Sequence, residues 1–225
     1  MIDLSTWNLS IPVGVPATTI STPLLTGGYQ DYYFRSNTSA GTVIFWAPVS
    51  GTTTQSAIYP RAELRETFPN GALRNWTYTS ANNTLSAELA VNQVPSSGKV
   101  VIGQIHAFNS DKPLLKLEYQ YKPKTGTANL VAKIRLSPTD AEGKTYTLLG
   151  GIPLNQRFTY SLNLTPTGGL NIKLNNSTWS TQVSSQWAPK PLYFKAGIYV
   201  QDNTGYDSEA GSATFDRLTI EHRPL

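Results

Sequence analysis

Tyr193-Phe194-Lys195-Ala196-Gly197-Ile198-Tyr199-Val200-Gln201 decides how this chain is read. Successive side chains of a strand point to opposite faces. Here the odd positions carry Tyr, Lys, Gly, Tyr and Gln, while Phe194, Ala196, Ile198 and Val200 form an unbroken apolar row. Two shorter segments repeat the pattern. Arg61-Ala62-Glu63-Leu64-Arg65 sets Arg61, Glu63 and Arg65 against Ala62 and Leu64, and in the third segment Gln104 and His106 flank Ile105. A sheet face bearing arginines, a lysine, a glutamine, a histidine and tyrosines is unfavourable by itself, because like charges opposed across a sheet repel. It reads as a surface that receives something anionic.

Outward from these segments, short β-type runs recur over residues 43–46, 84–90, 100–106, 115–121, 130–136, 145–149, 158–164, 170–174 and 213–221. Turn signals such as Pro123-Lys124-Thr125-Gly126 and Pro166-Thr167-Gly168-Gly169 punctuate them. Helical periodicity is weak throughout. Many short strands at this spacing predict an all-β fold, a two-sheet antiparallel jelly roll in which each strand buries one row between the sheets. If the three polar rows share the outer face of one concave sheet, that face is a groove able to seat a polymer. No linker, low-complexity tract or repeat divides the chain, so residues 1–225 are expected to form a single domain.

Composition excludes several classes. With 39% hydrophobic and 14% charged residues, 17 Gly and 15 Pro, the chain is globular and turn-rich, outside the disordered class. Its net charge of +4 comes from 18 basic and 14 acidic residues with no basic run or tail, so nucleic acid is not an expected partner. No apolar run is long enough to span a membrane. Residues Met1 to Trp7 have no signal-peptide pattern; either the chain is cytoplasmic or reaches the periplasm by another route, or it is secreted or periplasmic with a signal removed. Zero cysteines exclude disulfides, thiolate metal sites and cysteine nucleophiles. With two histidines and no clustered carboxylate ligands, a metal site of ordinary type is not expected either. The chain is expected to act as a monomer.

The polar rows can be read as chemistry. Arg61 and Arg65 lie two apart on one strand face, and a guanidinium fork matches carboxylate oxygens in a bidentate pair. Glu63 between them is read as the organiser of both forks. Gln104 can donate to a substrate carboxylate without adding charge. His106, titrating near neutral pH, is the natural proton acceptor. Tyr199, beside cationic groups, is expected to have a lowered pKa and to exchange a proton at mildly alkaline pH. This set suits a polymer of uronic acids. Neutralising the carboxylate with Arg61 and Gln104 stabilises the charge that develops when the adjacent carbon loses its proton. A base then takes that proton while an acid protonates the departing glycosidic oxygen.

Arg-Ala-Glu-Leu-Arg-Glu at 61–66, Gln-Ile-His at 104–106 and the nine residues at 193–201 resemble, in order, three conserved regions of the alginate lyases of polysaccharide lyase family seven. Leu-Ser-Thr-Trp-Asn-Leu-Ser-Ile-Pro at 4–12 is similar to that family's entry into the domain. The resemblance implies a β-jelly-roll lyase with a groove for alginate, no metal requirement and no cofactor. It implies Arg61, Gln104, His106 and Tyr199 as the catalytic group, and Arg65, Lys195 and Gln201, organised with Glu63, as substrate-binding residues. Ala62 stands where the family more often has Ser or Thr; alternation turns it to the core. Isoleucine at the middle of the Gln-x-His motif is associated in the family with guluronate-containing bonds, and this chain has Ile105.

Blander readings compete with each residue alone. Arg61, Glu63 and Arg65 could be a solvated charge ladder, and His106 a structural histidine. His222, near a polar C-terminus without a partner motif, is read as structural. Lys116, Glu118 and Gln120 share one polar row and Lys133 and Arg135 another, either of which could extend a groove or simply face solvent. Arg74, Asn109 and Tyr193 are weaker sugar contacts. The rival functions are a non-catalytic binding module for acidic polysaccharide, which has no use for His106 and Tyr199 beside a carboxylate-neutralising pair, and a glycoside hydrolase. The latter needs two carboxylates flanking one bond, and alternation puts Glu63 and Glu66 on opposite faces.

Overall fold

Alternation of apolar and polar side chains builds most of the strands in the computed structural model, which describes residues 1–225. Fifteen strands follow in order: β1 (Trp7–Ile11), β2 (Thr18–Ile20), β3 (Phe34–Asn37), β4 (Thr42–Pro48), β5 (Arg61–Glu66), β6 (Ala81–Gln93), β7 (Lys99–Ala107), β8 (Leu115–Lys122), β9 (Thr127–Ile134), β10 (Lys144–Ile152), β11 (Phe158–Leu164), β12 (Gly169–Leu174), β13 (Ser177–Gln182), β14 (Leu192–Val200) and β15 (Ala210–Pro224). One five-residue helix, Thr22–Thr26, is the only α-helix. The strands pair antiparallel into an eight-stranded sheet, β10-β9-β8-β7-β14-β5-β1-β2, and a seven-stranded sheet, β13-β12-β11-β6-β15-β4-β3. This is the two-sheet jelly roll that the short, turn-punctuated runs predict.

The inward rows of the two sheets fill one cluster of 48 buried residues. Phe194, Ala196, Ile198 and Val200 are fully buried within it, as are Ala62, Leu64 and Ile105. Opposite them lie Phe45 and Phe215, ring centroids 5.2 Å apart in an edge-on contact of the kind aromatic pairs favour. The alternation read from β5, β7 and β14 therefore holds: one row in the core, the other on the outer face of the larger sheet.

A bulge interrupts β14 where it pairs with β7, between Ala196 and Tyr199. Gly197 sits there at φ +143°, and a Cβ would meet the Ala62 carbonyl oxygen at 2.6 Å. Only glycine accommodates that close approach. The extra residue shifts β14 against β7, so that Tyr199 pairs with Val101 while Lys195 still faces Gln104; the register with β5 runs unbroken from Lys195 opposite Arg65 to Tyr199 opposite Arg61.

His222 corrects the reading that left it without partners. Its Nε2 is 2.6 Å from Glu66 Oε1 and its Nδ1 is 2.6 Å from Asn83 Oδ1. Glu66, fully buried on the inner face, also accepts from Trp76 Nε1 and the Phe194 backbone N–H. The partners come from β5 and β6, far from residue 222 in sequence, so no local motif announces them. Glu66 faces the core and Glu63 the groove, as alternation required.

Candidate active site

The order β7-β14-β5 makes the three polar rows neighbours. Tyr193 pairs with His106, Lys195 with Gln104 on one side and Arg65 on the other, Gly197 with Glu63, and Tyr199 with Arg61. A cavity of about 240 Å³ opens over this junction, lined among others by Arg61, Gln104, His106, Tyr193, Lys195 and Tyr199. Arg65 lines an adjoining cavity of about 490 Å³ together with Tyr193, Leu73 and Phe108. Glu63 lies beneath the floor, fully buried. Gln201 falls just past the end of β14, donates to the Val200 carbonyl and hydrogen-bonds Tyr199, outside the lining of either cavity.

Glu63 organises the floor. Its Oε1 accepts from Arg61 Nη1 at 2.9 Å and pairs with Lys195 Nζ at 2.6 Å, and its Oε2 accepts from Gln104 Nε2 at 2.7 Å. Burial alone would raise this carboxyl, but Lys195, Arg61 and the hydrogen bonds from Lys195 and Gln104 hold it below the usual carboxylate range. The expectation that Glu63 holds both arginines is corrected. Arg65 turns away, donating to the carbonyls of Glu66 and Arg74 and to Asn75 Oδ1, with its guanidinium 3.8 Å from the Tyr193 ring centroid. Lys195 occupies the place that a second fork on Glu63 would need. Arg61 in turn lies 3.7 Å over the Tyr199 ring, and its buried Nε has no partner. Gln104 keeps one amide N–H beyond the one given to Glu63. Both unpaired donors belong to residues that line the cavity.

His106 also differs from its expected behaviour. Burial first, then the charge of Lys195, lower its pKa to about 4, so the imidazole is neutral across the ordinary pH range. Its Nδ1 lies 2.9 Å from the Ala107 carbonyl. A carbonyl only accepts, so Nδ1 carries the hydrogen and Nε2 keeps its lone pair. The ring stacks on Tyr193 at 5.3 Å. Tyr199 is raised, where neighbouring cations were expected to lower it: desolvation outweighs Arg61. It holds its proton at neutral pH. Lys195, buried and crowded by Arg61, drops to about 8 despite Glu63. The junction thus combines a neutral base, a protonated phenol and unpaired donors beside cationic side chains, the parts that proton abstraction next to a carboxylate requires.

Many solved structures are similar to this chain. The family model described as alginate lyase matches residues 2–222. The chain belongs to the alginate lyases of polysaccharide lyase family seven. An alginate lyase of Klebsiella pneumoniae is 29% identical, over 98% of this chain and 89% of its own length. Among solved structures, alginate lyase PA1167 from Pseudomonas aeruginosa is 44% identical with a TM-score of 0.94, over 98% of this chain and 100% of that one. Alginate lyase A1-II', a member of polysaccharide lyase family-7, is 32% identical with a TM-score of 0.84, over 100% of this chain and 97% of that one.

Parts of the lyase's site lie on loops that alternation does not describe. Ser56, from the loop before β5, and Ser110 and Asp111, from the loop after β7, line both cavities. Asn109, in the same loop, lines the larger one. Lys116 and Arg135 extend the smaller one across β8 and beyond β9, so both polar rows left open by the sequence contribute to the groove. Arg74 approaches Glu66 Oε1 at 3.5 Å. No three His, Cys, Asp or Glu side chains cluster in a way that could hold a metal ion.

Proposed function

We propose that this lyase cuts alginate endolytically by β-elimination, leaving a 4,5-unsaturated uronate at the new non-reducing end. The observation that carries the reading is the convergence of Arg61, Gln104, His106 and Tyr199 on one cavity floor. The substrate carboxylate takes the Arg61 guanidinium and the remaining Gln104 N–H, which offset the charge that develops as the adjacent carbon loses its proton. His106 Nε2 accepts that proton, and the Tyr199 hydroxyl protonates the leaving oxygen. Arg65, Lys195 and Gln201 bind or orient flanking sugars, and Glu63 holds Arg61, Gln104 and Lys195 in place. Cutting within chains is supported by two adjoining cavities that share Ser56, Ser110, Asp111 and Tyr193 and together make a cleft longer than a single sugar. The single contiguous core supports one catalytic domain over residues 1–225.

Guluronate-containing bonds are the preferred substrate on this reading. Ile105 is fully buried, so its influence runs through the position of the strand carrying Gln104 and His106. One methylene in direct contact discriminates by roughly 1 to 3 kcal/mol, and an indirect one by less. Initial rates of ultraviolet absorbance on separate polyguluronate, alternating and polymannuronate blocks test this. Polyguluronate or alternating blocks should be cut faster, with Ile105→Val narrowing the gap. Fastest degradation of polymannuronate by the wild type would contradict it.

Two shifted groups, His106 and Lys195, set the pH profile. Activity requires neutral His106, so kcat/KM should rise as pH passes about 4 and not near the unperturbed histidine value. It should fall again as Lys195 loses its charge through about 8, because an anionic substrate then meets a weaker field. Lys195→Arg should move the alkaline limb upward. An acid limb centred near pH 6.5 would remove His106, as situated here, from the role of base.

A further inference from the structure

Glu118 repeats, two strands away from β14, the plan built around Glu63. It lies on the groove face of β8 and is fully buried. Its Oε1 is 3.2 Å from Lys133 Nζ and 4.0 Å from Lys116 Nζ, and its Oε2 accepts from Gln120 Nε2 at 2.7 Å. Each carboxylate thus sits between two cations and an amide on the same face of the same sheet. The two differ in one respect. Both oxygens of Glu63 accept hydrogen bonds, whereas Oε1 of Glu118 accepts none and is held by the two ammonium charges. Removing a carboxylate from water is costly, and a solvent-facing ion pair would not require it.

The register supplies the second observation. Arg65, Lys195, Gln104, Lys116 and Lys133 stand directly opposite one another across five adjacent strands. Neighbouring strands lie about 4.8 Å apart, a step comparable to one sugar residue of a linear polymer. A chain lying across the sheet therefore advances about one residue per strand. Arg135, two residues past Lys133 on the same face, lines the catalytic cavity with Lys116, and its Nε is buried without a partner. Lys116 and Lys133 share one carboxylate here, while Arg135 beside them donates to the Pro113 and Ala141 carbonyls. Burial lowers the Lys116 pKa; Glu118 opposes the shift, and Lys133, Arg135 and Arg61 add to it. The positive charge around Glu118 exceeds what Glu118 offsets.

We propose that Lys116 and Lys133, set in place by Glu118, form together with Arg135 a second carboxylate-binding subsite for a uronate beyond the one being cut. Glu118 is a positioning residue: it lies beneath the groove and acts through the lysines. The inference rests on the assignment of Arg61, Gln104, His106 and Tyr199 to the chemistry, which fixes where the cut residue sits. Its consequence is a dependence on substrate length, because only chains long enough to cross β7 reach the second cluster.

The test is kcat/KM on size-defined uronate oligosaccharides, from the shortest that is cut up to the polymer. The ratio of long to short substrate should fall at least five-fold in Glu118→Gln, through KM. Lys133→Ala, at a partly exposed position that tolerates truncation, should give the same fall, and Lys133→Arg should restore the ratio. Added salt should shrink the wild-type ratio, since it screens exposed charge pairs. Equal losses on short and long substrates, or no loss in folded Lys133→Ala, would overturn the proposal. The ratio is taken within each variant, so its outcome stands apart from whether Tyr199→Phe silences the enzyme.

Discussion

Tyr199→Phe is expected to lower kcat by about 100-fold to 10,000-fold, the range associated with a positioned proton donor, while oligosaccharide affinity changes little. The phenyl ring keeps its place under Arg61, whose guanidinium lies 3.7 Å from the ring centroid, so the floor of the cavity survives the change. What is lost is one hydroxyl that burial keeps protonated at neutral pH. Initial rates by absorbance, with binding by calorimetry on the same variant, separate the two effects. Near-normal turnover would transfer the donor role to another group.

Glu63→Gln should be nearly as damaging, by a different route. The substitution keeps the shape but leaves Lys195 and Arg61 buried side by side without their counter-charge. Removing one partner of a buried pair typically costs about 3 to 5 kcal/mol, and displaced Arg61 and Gln104 should lower kcat/KM by about 100-fold or more. The pH dependence has a definite sign. The folded-state pKa of Glu63 is depressed, so its contribution is full above the ordinary glutamate value of about 4.3 and is lost as pH falls through the folded value. Urea midpoints of wild type and variant should therefore differ widely at neutral pH and converge in acid. Equal midpoints at pH 7 would show that Glu63 does not hold the floor together.

Much of this was legible in the sequence because period-two alternation is a direct record of burial. The rows at 61–65, 104–106 and 193–201 name both their core and their groove residues, and the structure keeps them on their expected sides, apart from Gln201, which falls past the end of β14 and outside both cavities. The strands missed by pattern were β1, β2, β3 and β13. Three of them lie at sheet edges, where β2 has three residues and β13 is largely exposed, so burial imposes little alternation. β1 is different. Trp7, Leu9 and Ile11 alternate with Asn8 and Ser10, and the signal was present.

Charge behaviour was less legible than position. Alternation puts Glu63 among Arg61, Arg65 and Lys195, but only cross-strand register decides that Lys195 takes the second bond and Arg65 leaves for Asn75. Proximity to cations suggested a lowered Tyr199 and composition a near-neutral His106. Desolvation, which depends on how deeply the sheet floor is covered, reversed the first and pushed the second well below neutral. The partners of His222 come from β5 and β6, and the loop residues Ser56, Ser110 and Asp111 belong to no periodic pattern.

The assignment of the catalytic floor is tested most directly by the crystal structure of Tyr199→Phe with a bound uronate tetrasaccharide. One carboxylate should lie within about 3.2 Å of both the Arg61 guanidinium and Gln104 Nε2, with His106 Nε2 facing the carbon that bears it. A substrate whose carboxylates are held by Arg65 and Arg74, with no contact to Arg61, would contradict the account.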